Sequence, residues 1–110
     1  MLIAERMLRG RDGDTEHGVA VRVFLPVESE EAWRCDWEIH WPDGLRRATA
    51  RGHDSMQAMV LALQAIGAEL HASDMHEAGR PSWIDGWSGY GFPVSRSIRD
   101  QLRGDDADTL

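Results

Sequence analysis

Lysine is missing from this chain. All 12 basic residues are arginine, set against 19 acidic residues, for a formal net charge of −7. Arginine used to the exclusion of lysine reads as the codon bias of a GC-rich genome and points to a bacterial source. An arginine-built phosphate site is the functional alternative. The acidic balance argues against a nucleic-acid partner, because phosphate contacts need clustered basic side chains. A single cysteine, Cys35, excludes an intrachain disulfide framework and a cysteine-built zinc site. No apolar run approaches the ~18 residues needed to span a bilayer, so no membrane association is expected. Glu5 and Arg6 interrupt the opening apolar stretch, which leaves no signal-peptide core. A cytoplasmic protein with a reduced thiol is therefore expected. Neither H-E-x-x-H nor G-x-S-x-G occurs, so no catalytic residue is assigned and no cofactor or metal is expected.

What is present fits one acidic, soluble α+β domain of 110 residues, 42% hydrophobic and 28% charged. The domain is expected over residues 1–103, and the acidic stretch 104–110 is expected to be a disordered tail. Residues 2–9 read as a strand. The polar, glycine-containing stretch from Arg9 to Gly18 reads as a loop. Residues 19–25 form a second strand with Val19, Val21, Val23 and Leu25 on one face, ended by Pro26. Glu28, Glu30 and Glu31 lie in the following connection.

Residues 33–41 give the clearest strand pattern. Trp33, Cys35, Trp37, Ile39 and Trp41 alternate with Arg34, Asp36, Glu38 and His40. Period 2 over this length implies one buried and one wet face. Pro42-Asp43-Gly44 makes a turn. A four-residue loop over 42–45 pairs Ile39 with Ala48 and Trp37 with Ala50. It sets small residues beside large ones and leaves Arg47 and Arg51 on the wet face. A three-residue loop flips every side chain to the other face and is rejected.

Residues 54–72 read as a helix, with Asp54 as N-cap and Gln57 completing a capping box. Met56, Met59, Val60, Leu63, Ile66 (or Gly67) and Leu70 form the expected apolar stripe. Ala58, Ala62, Ala65 and Ala68 permit close approach. Gln57, Gln64, Glu69 and His71 are placed outward or at the border. Beyond Gly79-Arg80-Pro81 an aromatic, glycine-rich segment reads as a short strand or an ordered loop, and Ser97 to Leu102 as a short helix.

Candidate sites follow from these placements. His71, Asp74, His76 and Glu77 lie close in sequence and define the metal or small-enzyme alternative. Their spacing fits a polar helix end better than a ligand set. Cys35 and His40 fall on opposite faces, so the cysteine reads as a small buried hydrophobe. Asp36, Glu38 and His40 beside Arg47 and Arg51 read as a solvated face with cross-strand ion pairs. Trp83, Trp87, Tyr90 and Phe92 are the candidate interaction surface, since aromatic side chains supply contact area at low entropic cost.

Two resemblances can be stated on these residues. Ala4-Glu5-Arg6, then Gly52-x-Asp54-Ser55-x-Gln57-Ala58, Leu61-Ala62-Leu63, Ile66-Gly67 and Leu70, then Trp83 and Gly91-Phe92-Pro93, resemble a family of small bacterial proteins classed as a domain of unknown function. That resemblance implies a strand meander with a helix and carries no activity. Residues 33–70 are similar to the HicB-type antitoxin fold, without its proline- and glycine-rich strand motif or its C-terminal helix-turn-helix.

The expected architecture is α+β: an antiparallel meander of about four strands with one long helix on a single face. The other face, with Arg22, Phe24, Arg34, Asp36, Glu38 and His40, stays open to solvent or a partner. The leading expectation is a non-enzymatic protein-interaction module, with self-association as a two-fold homodimer. An acidic immunity- or antitoxin-like protein that neutralises a basic toxin is the alternative.

Overall fold

The computed structural model describes residues 1–12, 15–73, 90–95 and 104–109. Strands β1 (Leu2–Asp12), β2 (Thr15–Phe24), β3 (Val27–Glu28), β4 (Trp33–Trp41) and β5 (Gly44–Gly52) form one antiparallel sheet. Helix α1 (Ser55–Ala72) packs on it, and a short helix α2 (Gly104–Thr109) follows. Central strand β4 pairs on one side with β5 along its whole length. On its other side Ala20–Val23 of β2 pair with Trp37–His40, and Val27–Glu28 of β3 continue along Trp33–Arg34. Leu25-Pro26 separates these two stretches, where Pro26 has no N–H to give the ladder. The sheet is thus five strand segments in four positions, a meander of the expected width.

Several local expectations change. The stretch from Arg9 to Gly18 is mostly strand: Arg9 pairs with Gly18, Gly10 with His17, Arg11 with Glu16 and Asp12 with Thr15. This end of the hairpin runs beyond the point where β4 stops pairing, at Ala20 and His40. Two paired strands without a third neighbour need no apolar face, so a polar composition does not exclude strand here. The β2 core row holds Val19, Val21 and Val23 but ends there, and Leu25 is exposed.

The β4–β5 hairpin turns through two residues, Pro42 and Asp43, with Trp41 paired to Gly44 and Ile39 to Arg46. The expected four-residue loop is therefore wrong by a register of two. Because the shift is even, every side chain keeps its face: Ala48 now lies opposite Trp37, and Ala50 opposite Cys35. The observed register also sets Glu38 directly opposite Arg47 and Asp36 opposite Thr49, pairs the longer loop would have separated.

Helix α1 begins as expected. Asp54 accepts a hydrogen bond from the Gln57 amide at 2.7 Å, and the Gln57 side chain accepts from the His53 amide at 2.6 Å. The buried stripe is the expected one in its second half, at Ile66, Gly67 and Leu70, with Met59 and Leu63 half-buried against the core, and differs elsewhere. Ala58, Ala62, Ile66, Gly67, Leu70 and His71 face inward, whereas Met56 is 74% exposed and Val60 is also exposed. Small residues win the inner face because the sheet below them is crowded with Trp37, Ile39 and the half-buried Trp33. A Cβ on Gly52 would lie 2.5 Å from the Ala58 nitrogen, so helix and sheet approach to backbone contact. His71, expected outward or at the border, is buried with its ring 5.1 Å from that of Tyr90.

Residues 90–95 are an ordered, non-regular segment that completes the core beside α1. Tyr90, Phe92 and Val94 are buried, and a Cβ on Gly67 would overlap the Pro93 carbonyl. The stretch 104–110, expected to be a disordered tail, instead forms α2 over Gly104–Thr109 and buries Asp106 completely. The helix expected over Ser97 to Leu102 lies outside the described residues.

Candidate interaction surface

The two faces of the sheet do different work. On the inner face, β1 contributes Ala4, Arg6 and Leu8, opposite Val23, Val21 and Val19 of β2. Arg6 is the anomaly in this row, a cation where alternation calls for a hydrophobe. Its guanidinium donates to the carbonyls of Tyr90 and Gly91 at 3.1 and 3.0 Å and stands 4.7 Å from the centre of the Phe92 ring. Asp106 takes the other side of the same two peptides. Its carboxylate accepts from the Tyr90 and Gly91 amides, both at 2.8 Å. Gly91 has φ 75°, a left-handed conformation that glycine adopts without strain. Residues 90–91 are thus clamped from opposite ends of the chain. Burial lowers the Arg6 pKa while the Asp106 charge opposes that shift. Burial, aided by Asp106, pushes the Tyr90 phenol up to about 12.

These contacts decide the fate of the expected aromatic surface. Tyr90 and Phe92 are 4% and 6% exposed, so they pack the core and offer no ring to a partner. Trp83 and Trp87 lie outside the described residues. The sequence reading missed both Arg6 and Asp106. Arg6 carried a legible signal, a charge in the inward row of β1. Asp106 carried none, since nothing distinguishes it from its acidic neighbours.

The other proposed clusters also resolve in part. Of His71, Asp74, His76 and Glu77, only His71 is described, and it lies in the core. Among the described residues no group of three or more His, Cys, Asp or Glu side chains is placed to hold a metal ion. Cys35 is buried and its thiol donates to the Phe24 carbonyl at 3.3 Å. Burial, then the nearby Asp36, raises its pKa away from the thiolate. His40 lies on the opposite face, as alternation required.

On the outer face, side chains line up across all four strand positions. Glu5 of β1 pairs in register with Arg22 of β2, Arg22 with Glu38 of β4, and Glu38 with Arg47 of β5. The row reads negative, positive, negative, positive. Within it, Arg22 donates to Glu5 at 2.6 Å, and Arg47 Nε donates to Glu38 at 2.8 Å with a second bond from its terminal nitrogen. The second Glu38 oxygen lies 2.8 Å from His40 Nε2. These contacts leave Glu38 only 6% exposed. The hydrogen bond from His40, then those from Arg47 and its charge, hold its carboxyl below the usual range against the opposing effect of burial. The next row along the strands joins Met7, Ala20, His40 and Leu45 in register. Its two ends, Met7 and Leu45, are both 52% exposed. Asp36, one pair further along β4, accepts from the Thr49 hydroxyl at 2.5 Å.

An antiparallel four-position sheet with a helix and an extended segment on one face, and a patterned exposed surface on the other, defines a small α+β domain. The chain belongs to the family described as a domain of unknown function, DUF6968, whose family model matches residues 4–94. The match takes in Arg6, the helix start at Asp54 and Gly91-Phe92-Pro93, and it ends before Asp106. No curated protein and no solved structure matches the chain. No helix among the described residues is long and apolar enough to cross a membrane.

Proposed function

We propose that this chain is a non-enzymatic protein-interaction module, and that the outer face of its sheet is the surface it offers a partner. One observation carries the reading. A face four strand positions wide, exposed at Glu5, Met7, Leu45 and Arg47 along its two outer strands, holds an ordered line of alternating charges beside the apolar side chains of Met7 and Leu45. Charge rows fix orientation and exclude wrong partners, and the neighbouring apolar residues supply burial. The polar groups on this face bond to one another in structural pairs, which favours recognition over catalysis. The buried Tyr90 and Phe92 leave this face as the better-supported surface. The toxin-neutralising alternative draws on the net charge of −7, but a face carrying both signs suits a partner of mixed charge better than a uniformly basic one.

The test is position-specific cross-linking in the protein's own cells. A photoreactive residue at Met7 or Leu45 is expected to give a discrete adduct, and one at Met56, on the helix side, none. Adducts from position 56 alone would contradict the reading.

A further inference from the structure

The order of charges on the outer face says which partner fits it. Glu5, Arg22, Glu38 and Arg47 lie in one cross-strand line. Read backwards, the row negative–positive–negative–positive becomes its own opposite. Such a row is complementary to a second copy of itself turned by a two-fold axis. A row with like charges at its two ends would repel its own image.

We infer that the partner is a second copy of this chain, docked outer face to outer face about a two-fold axis parallel to the strands and between β2 and β4. That operation sets Glu5 against Arg47 of the second copy and Arg22 against Glu38, with each contact made twice. The neighbouring row obeys the same operation without further adjustment. Met7 meets Leu45, apolar end against apolar end, and the small Ala20 meets His40. Two independent rows therefore select the same axis. Sheets stacked this way stand ~10 Å apart, a gap that Met, Leu, Arg and Glu side chains from both copies fill. The helices end up on the two outer surfaces, and the product is a four-layer α/β/β/α dimer.

The two complete rows cover about 19 Å by 14 Å, from ~4.8 Å between strands and ~6.8 Å between outward residues on a strand. That is small for an interface, so the dimer is weak and concentration-dependent. Its charge row makes it salt-sensitive.

This inference rests on the outer-face reading, and mixing charge-reversed variants tests it separately. Glu5→Arg sets positive against positive at both ends of its own dimer, and Arg47→Glu sets negative against negative. Each variant alone is expected to sediment as a monomer at concentrations where the wild type is a dimer. Mixed one to one, the arginine introduced at position 5 of one variant meets the glutamate introduced at position 47 of the other. The unaltered Arg47 of the first then meets the unaltered Glu5 of the second, so the mixture is expected to dimerise. Raising salt from about 0.05 to about 0.5 M is expected to weaken the wild-type dimer about tenfold or more. Circular dichroism checks that both variants fold. Should either unfold, Met7→Arg mixed with Leu45→Glu applies the same logic to the neighbouring row.

A wild type that stays monomeric up to its solubility limit overturns the inference. So does a variant that dimerises alone as tightly as the wild type, or a mixture that stays monomeric. A monomeric wild type that still cross-links to a different protein from Met7 and Leu45 overturns the second copy and leaves the outer-face reading standing. A monomeric wild type that also gives no adduct from Met7 or Leu45 overturns both.

Discussion

Three charged residues, Arg6, Asp106 and Glu38, hold positions that a burial argument would give to hydrophobes. Each is tolerated because its polar atoms are satisfied. Asp106 satisfies two backbone amides at once, so Asp106→Ala is expected to cost about 2–3 kcal/mol in denaturant unfolding by leaving both donors without an acceptor. Asp106→Asn, which keeps one acceptor oxygen, is expected to cost less. Glu38 supplies a pH dependence. Its folded carboxyl titrates below its ordinary value of 4.5, so its stabilising effect is complete above that value and is lost as pH falls through the folded one. Stability measured by chemical denaturation is expected to drop on acidification below about pH 5, and Glu38→Gln to flatten part of that drop. Alternation along β4 placed Glu38 on one face with His40, Arg47 and Arg51, but the expected hairpin register did not set it opposite Arg47. The clamp on residues 90–91 was not legible, because its two halves lie 100 positions apart and only three-dimensional closure joins them.

Helix α1 shows where periodicity informs and where it misleads. Its bounds and its cap were readable from Asp54 and Gln57. Of its expected stripe Ile66 and Leu70 are buried, but Met56 and Val60 are exposed, and the structure gives the inward positions of the first turns to Ala58 and Ala62. The sheet beneath already holds the volume in Trp37 and Ile39, so the helix must supply small residues to come close. Overpacking this contact, as in Ala62→Leu, is expected to cost about 1–3 kcal/mol. Met56→Gln is expected to stay within about 0.5 kcal/mol of wild type. Gly67→Ala offers a sharper contrast. Helix propensity alone favours alanine by about 1 kcal/mol, yet a Cβ there overlaps the Pro93 carbonyl. A lower melting temperature for Gly67→Ala is the expected result, and a higher one would mean that residues 90–95 do not dock as described. The β4–β5 hairpin makes a related point. Face parity was readable, while the difference between a two- and a four-residue loop was not, since both keep the same residues buried.

At the scale of the molecule, the meander and its helix follow from the sequence because each element has one apolar face and only one layer order buries them all. The rows on the outer face needed the structure. Glu5, Arg22, Glu38 and Arg47 come from four strands, and their alignment depends on three registers that no local pattern fixes. Once aligned, they are the basis for proposing the outer face as the recognition surface. Methionine oxidation tests that claim most directly, because the chain carries its own control: Met7 on the outer face and Met56 on the helix are both exposed, at 52% and 74%. Rates of sulfoxide formation under peroxide would be compared by mass spectrometry between dilute purified protein and intact cells. The account predicts that Met7 becomes protected in cells while Met56 reacts relative to Met1 as it does in dilute protein. Protection of Met56 with Met7 still reactive would contradict it, and so would equal reactivity of Met7 in both settings.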